Sequence, residues 1–102
     1  MPKYVLAYLG GKQTQNPQAR TAQMARWKAW MEELGSRMLN PGTPLGQGKL
    51  VSASGISERG PNHLTGYSIV SADNMDAALE IARRCPFLEI GTIEVAEAME
   101  MR

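Results

Sequence analysis

The chain has 102 residues, 43% of them hydrophobic, and its 11 basic and 10 acidic side chains leave a formal net charge of +1. That length makes one domain, residues 1–102, burying roughly two-thirds of the surface its unfolded form exposes. Balanced charge, with no basic run longer than Arg83-Arg84, excludes the electrostatic footprint of a nucleic-acid-binding protein.

Tyr4 to Leu9 is rich in β-formers and stops at Gly10-Gly11, which predicts a first strand. Only seven residues separate Lys3 from Gly11, too few to span a bilayer or to build the apolar region of a signal peptide. A soluble, cytoplasmic protein with no membrane partner is therefore expected. Strand alternation places Tyr4, Leu6 and Tyr8 on one face and Val5, Ala7 and Leu9 on the other. Neither face suits water, so both need cover.

After the polar stretch "KQTQNPQ" a helix is predicted from about residue 17, with Asn16 accepting from first-turn amides and Pro17 at the first helical position. Met24, Trp27, Trp30, Met31 and Leu34 form its apolar stripe, opposite Lys28, Glu32 and Glu33. Gly35 supplies the helix end. Trp27 is assigned to packing; Trp30, at the edge of the stripe, leaves a ligand platform more open.

"NPGTPLGQG" has a turn-forming composition, and "KLVSASG" alternates enough to predict strand two over roughly residues 48 to 54. The polar segment from Gly55 to Leu64 reads as a long hairpin connection carrying His63. Strand three is Gly66 to Ala72. The second helix is capped by Asp73 or Asn74, has Asp76 in its first turn and Arg83 and Arg84 in its last, and stops at Pro86. Met75, Ala78, Ile81, Ala82 and Cys85 gather on its inner side. Cys85 is the only cysteine, which excludes an internal disulfide and a two-cysteine motif and reads as a buried structural thiol. From Gly91, "GTIEVAEAMEM" alternates as strand four, with Ile93 and Val95 on one face and Thr92 and Glu94 on the other.

The order β-α-β-β-α-β predicts an α+β, ferredoxin-like antiparallel sheet with two helices on one face. The other face stays bare, because 102 residues leave no third layer. A second copy is the expected cover, giving a homodimeric α+β barrel.

With these elements in place, the chain resembles the YCII-related family, also called the DGPF-domain family, over nearly its whole length. The resemblance is carried by "KYVLAYLG", "WKAWMEELG", "GP" followed by "LTGYSIVSADNMDAALEIARRCP", and "GTIEV". It implies the dimeric barrel, a His-Asp pair in some members, a dehydrochlorinase acting on an aromatic diol in one branch, and links by name to transcription initiation and sigma factors. Two departures stand out. Arg59-Gly60-Pro61-Asn62 replaces Asp-Gly-Pro-Phe, and Glu94-Val95-Ala96-Glu97 replaces Glu-Val-Arg-Pro.

His63 is the only imidazole, the side chain most often used for acid-base work near neutral pH; the competing reading is a solvent-exposed loop residue. An orienting acid is needed for catalysis, and Asp73, Glu58 and Glu94 are the candidates. Glu94 points into the dimer barrel if Ile93 and Val95 pack under the helices; the competing reading is a structural ion pair or a rim position at the barrel mouth. Tyr8 and Tyr67 offer hydroxyls to the same cavity or pack as half-buried strand residues. Arg59 binds an acidic ligand or solvates the hairpin tip. One histidine and one cysteine without clustered carboxylates exclude a metal site, "GTPLGQGK" lacks the spacing of a phosphate loop, and no cofactor is expected. Two functions remain: a homodimeric scaffold binding a small molecule or a regulatory protein partner, and a cofactor-independent lyase or isomerase acting on a small cyclic or aromatic compound through His63.

Overall fold

The computed structural model describes residues 1–11 and 16–99. Among these the elements in chain order are β1 (Lys3–Leu9), α1 (Pro17–Leu34), β2 (Met38–Asn40), β3 (Leu50–Ser52), β4 (Gly55–Ser57), β5 (Leu64–Ser71), α2 (Met75–Arg83) and β6 (Thr92–Ala98), with 3-10 turns at Gly35–Arg37 and Pro86–Glu89. The end of the predicted last strand, residues 100–101, lies outside the described residues, as do residues 12–15 ahead of α1. Four strands form an antiparallel sheet in the order β2-β5-β1-β6, the ferredoxin-like arrangement, while β3 and β4 form a hairpin of their own.

Local chemistry sets the helix ends. The Asn16 side chain accepts from the amides of Gln18 and Ala19, and Pro17 opens α1 without an amide to satisfy. At the other end Gly35 sits at φ 55°, and its N–H donates to the Met31 carbonyl. Asn74 caps α2 by accepting from the amide of Ala77. Asp76 and Arg83 lie at the ends the helix dipole favours for their charges.

The core lies between the helices and one sheet face, where Tyr4, Leu6 and Tyr8 of β1 meet Val70 of β5, Leu34 and Ile81. Two expectations for α1 are corrected. Met24 is 72% exposed, and the inward line instead runs through Ala19, Gln23, Trp27, Trp30 and Leu34. The first half of the helix has too little contrast between its sides for periodicity to identify the inner one. Trp30 is only 4% exposed, and its indole N–H donates to the Ile81 carbonyl at 3.1 Å. It is therefore a pin between the helices rather than a platform.

A third correction concerns strand two. The sheet's edge strand is Met38–Asn40, and the predicted segment 48–54 belongs to the β3–β4 hairpin. Three residues are too short to display alternation, so β2 was invisible among the turn residues around it. Beyond β2 the chain stays beside β5: Pro44 bridges Gly66, the Leu45 amide donates to the Thr65 carbonyl at 2.9 Å, and the Ser68 hydroxyl donates to the Pro41 carbonyl. Gly42, at φ 73°, permits this approach, because a Cβ there would overlap the Tyr67 carbonyl. The path carries residues 45–48 to the His63 end of β5.

Opposite the helices, Val5, Ala7, Leu9, Tyr67 and Ile69 form a half-buried sheet face. Tyr67, Ala7 and Glu94 occupy one row across it.

Candidate functional site

Two loops meet where β1 ends. Gly10, at φ 72°, turns the chain, and its N–H donates to the His63 carbonyl at 2.7 Å. A Cβ on Gly10 would stand 3.3 Å from the Pro61 carbonyl and 3.2 Å from the Asn62 side chain, so glycine is what lets this loop close down on β1. Within the loop the His63 ring folds back on its own backbone, with Nδ1 3.0 Å from the Gly60 carbonyl oxygen. A carbonyl can only accept, so in the neutral ring Nδ1 carries the proton and Nε2 keeps its lone pair.

Arg59 closes the same loop by donating from Nη1 to the Leu64 carbonyl at 3.2 Å. Its guanidinium lies against Gly48, where a Cβ would stand 3.1 Å from Nη1. Lys49 and Glu58 form an ion pair across the base of the hairpin. Among the described residues no carboxylate is within ion-pair distance of Arg59 or His63.

Three adjoining hollows, of about 700, 570 and 270 Å³, are each lined by Gln47, Arg59 and His63. The largest adds Leu45, Leu50, Pro61 and Leu64, and the second reaches Gly10, Gly11, Phe87 and Ile90. Apolar walls with a few converging polar groups are the usual make-up of a small-molecule site, and the two larger volumes fall within the ordinary range of roughly 300–1,000 Å³. A groove of about 500 Å³ between the helices differs in kind. There Arg26 pairs with Glu89 at 2.7 Å and Arg84 with Glu33 at 2.8 Å, so these charges already satisfy one another.

Of the residues singled out from sequence, His63 and Arg59 are brought together, and the rest stand elsewhere. Asp73 follows the far end of β5 while His63 precedes its near end, and eight residues of strand put about 27 Å between them. Glu94 is on the open face of β6, with β1 between it and β5, a lateral separation of about 10 Å. Glu58 shares the smallest hollow with His63 but is engaged by Lys49. Tyr67 lies on the open face beside Ala7, whereas Tyr8 lies on the helix face.

The two tyrosines therefore do not share a cavity. The Tyr8 hydroxyl donates to Ser68 Oγ at 2.8 Å, and its ring packs on Trp27 and Phe87 at 5.3 and 5.1 Å between centroids. Burial raises its pKa. The Cys85 thiol is likewise pushed up to about 11 by burial, which removes the thiolate a nucleophile would need. Among the described residues no group of three potential ligands could hold a metal ion, and no helix is long and apolar enough to cross a membrane.

Gln47 and Phe87 had no signal in the sequence. Gln47 stands between two glycines in a turn-rich stretch, and only the path of residues 41–46 along β5 brings it to His63.

Comparison with known proteins adds to this geometry. The family model described as "YCII-related domain" matches residues 3–102. Among solved structures, the chain is similar to 5-chloro-2-hydroxyhydroquinone dehydrochlorinase from Burkholderia phenoliruptrix AC1100 in complex with 2,5-dihydroxybenzoquinone. The TM-score is 0.59 at 19% identity, covering 96% of this chain and 95% of that one. At that identity the likeness establishes a shared fold. No curated protein matches.

Proposed function

The chain belongs to the YCII-related domain family, and from that premise we propose that it is a small-molecule-binding protein, working as a homodimer, whose ligand occupies the hollows shared by Gln47, Arg59 and His63. The observation that carries this reading is that those three residues line three adjoining cavities, the two larger of which have apolar walls. Elsewhere on the described surface the comparable groove is lined by charges engaged with one another.

A second reading follows from the hydrogen bond between His63 Nδ1 and the Gly60 carbonyl. It leaves Nε2 of a cavity-lining residue free to accept a proton, which a general base requires. The structurally similar protein is a dehydrochlorinase, and elimination from a ring needs one such base to take a proton as the leaving group departs. In this chain the imidazole is oriented by a backbone carbonyl rather than by a carboxylate, so His63 would act without a paired acid.

Both readings are tested by titrating the protein with hydroxylated six-membered ring compounds, 2,5-dihydroxybenzoquinone first, while following the His63 ring resonances and the absorbance of the compounds. Binding reported by His63, and weakened at least tenfold in His63→Ala, is expected. Consumption of a compound by the wild type and not by the variant selects the lyase. Binding that leaves the His63 signals unmoved overturns the assignment of the site.

A further inference from the structure

The charges around the cavity restrict what can fill it. Arg59 is half-buried and makes one hydrogen bond, to the Leu64 carbonyl, among the described residues. By contrast Arg26, Arg83 and Arg84 each hold a carboxylate at 2.7–2.8 Å, and Arg37 donates to the last carbonyls of α1. Lys49 and Glu58, beside the cavity, cancel one another. Among the described residues the lining therefore carries one positive charge with no carboxylate partner, on a residue that is half-buried. Withdrawing a charge costs free energy unless an opposite charge meets it.

We infer that the ligand of this site is a carboxylic acid with a compact apolar body, its carboxylate held by Arg59 and its body against Leu45, Leu50 and Leu64. The inference rests on the reading of the cavity as a ligand site and adds the chemical class. Four of the five donors of a guanidinium remain once Nη1 has bonded the Leu64 carbonyl, and their planar fork matches a carboxylate in bidentate geometry. A single unpaired cation among the described lining residues suits a monoanion. A phosphate, with close to two charges, would call for a second unpaired cation or a cluster of backbone amides. Gln47 supplies a neutral donor at the same place, and His63, which lines the same hollow, has its Nε2 uncommitted by the hydrogen bond that Nδ1 makes. The apolar side of the largest hollow has no use for a second charge.

The test uses matched pairs: benzoate with benzamide and cyclohexanecarboxylate with its primary amide, plus inorganic phosphate, each titrated calorimetrically into the wild type, Arg59→Gln and Arg59→Lys. A charge-assisted pair contributes about tenfold to a hundredfold in affinity. The acids are expected to bind that much more tightly than their amides. Arg59→Gln should abolish the difference, Arg59→Lys should retain part of it, and unchanged thermal unfolding midpoints show that the variants are folded. Equal binding of acid and amide, tighter binding of phosphate, or an undiminished preference in Arg59→Gln overturns the inference. If hydroxylated rings bind and the acids do not, the inference falls while the site stands. If neither set binds, both fall.

Discussion

Cys85 and Tyr8 show how burial shapes the chemistry of individual residues. Both sit in the core, and desolvation raises both pKa values, Cys85 from 9.0 to about 11. The native state keeps these protons at pH values where the unfolded chain releases them. A raised folded-state pKa contributes stability that is fully present below the unfolded value and is lost as pH rises through the folded one. Resistance to urea is therefore expected to hold up to about pH 9 and to fall between about pH 9 and 11. In Cys85→Ala the fall over that window should be shallower, whatever the cost of the smaller side chain at neutral pH. Urea midpoints at pH 8 and pH 10.5 measure this; identical slopes in the two proteins would show that the thiol ionises as freely in the fold as outside it. At His63 one hydrogen bond, to the Gly60 carbonyl, sets which ring nitrogen carries the proton in the neutral imidazole.

At the scale of elements, the β3–β4 hairpin stands apart from the rest. It pairs only with itself, and Val51 and Ile56 are 78% and 73% exposed on neighbouring strands. A two-stranded hairpin is marginal in water without a surface to pack on. Its base nevertheless supplies Lys49, Leu50 and Glu58 to the candidate site. Site and arm are thus coupled. In native-state hydrogen exchange of the free protein, amides of residues 50–57 are expected to exchange at least a hundredfold faster than those of Leu6 and Val70, which are fully buried in the central strands. Protection of the arm equal to that of the central strands would mean that something covers it.

For the whole molecule, the governing fact is that a two-layer chain has a sheet with only one face under helices. The described chain is 19 Å thin against 46 and 42 Å in its other dimensions, as expected for one helical layer on one sheet. Val5, Ala7, Leu9 and Ile69 occupy the other face, half-buried by their neighbours alone. The homodimer proposed above would cover them. Sedimentation at micromolar concentration is expected to give a dimer. Replacing Val5 and Ile69 together by lysine should convert it to monomer with an unchanged far-ultraviolet spectrum. A well-folded wild-type monomer under the same conditions would remove the dimer from the proposal.

What the sequence determined by itself is the set of elements whose signals are local. Asn16-Pro17 and Gly35 bound α1, Asp73-Asn74 and Pro86 bracket α2, with Asn74 the cap in the structure, and the alternation of Tyr4–Leu9 and of the segment from Gly91 identifies β1 and β6. These depend on backbone chemistry within a few residues, so periodicity and capping suffice to read them. The candidate site was legible only as two separate residues, His63 and Arg59, with acids beside them that turn out to lie along or across the sheet. Tertiary structure alone decided the rest, because the edge strand Met38–Asn40 is defined by its partner β5 and not by any pattern of its own. That pairing leads residues 41–46 along β5, brings Gln47 into the same hollow as His63, and leaves Arg59 without a carboxylate among the described residues. Contacts between residues far apart in the chain carry no periodic trace, and so a cavity made by three loops can be seen only once the chain has folded.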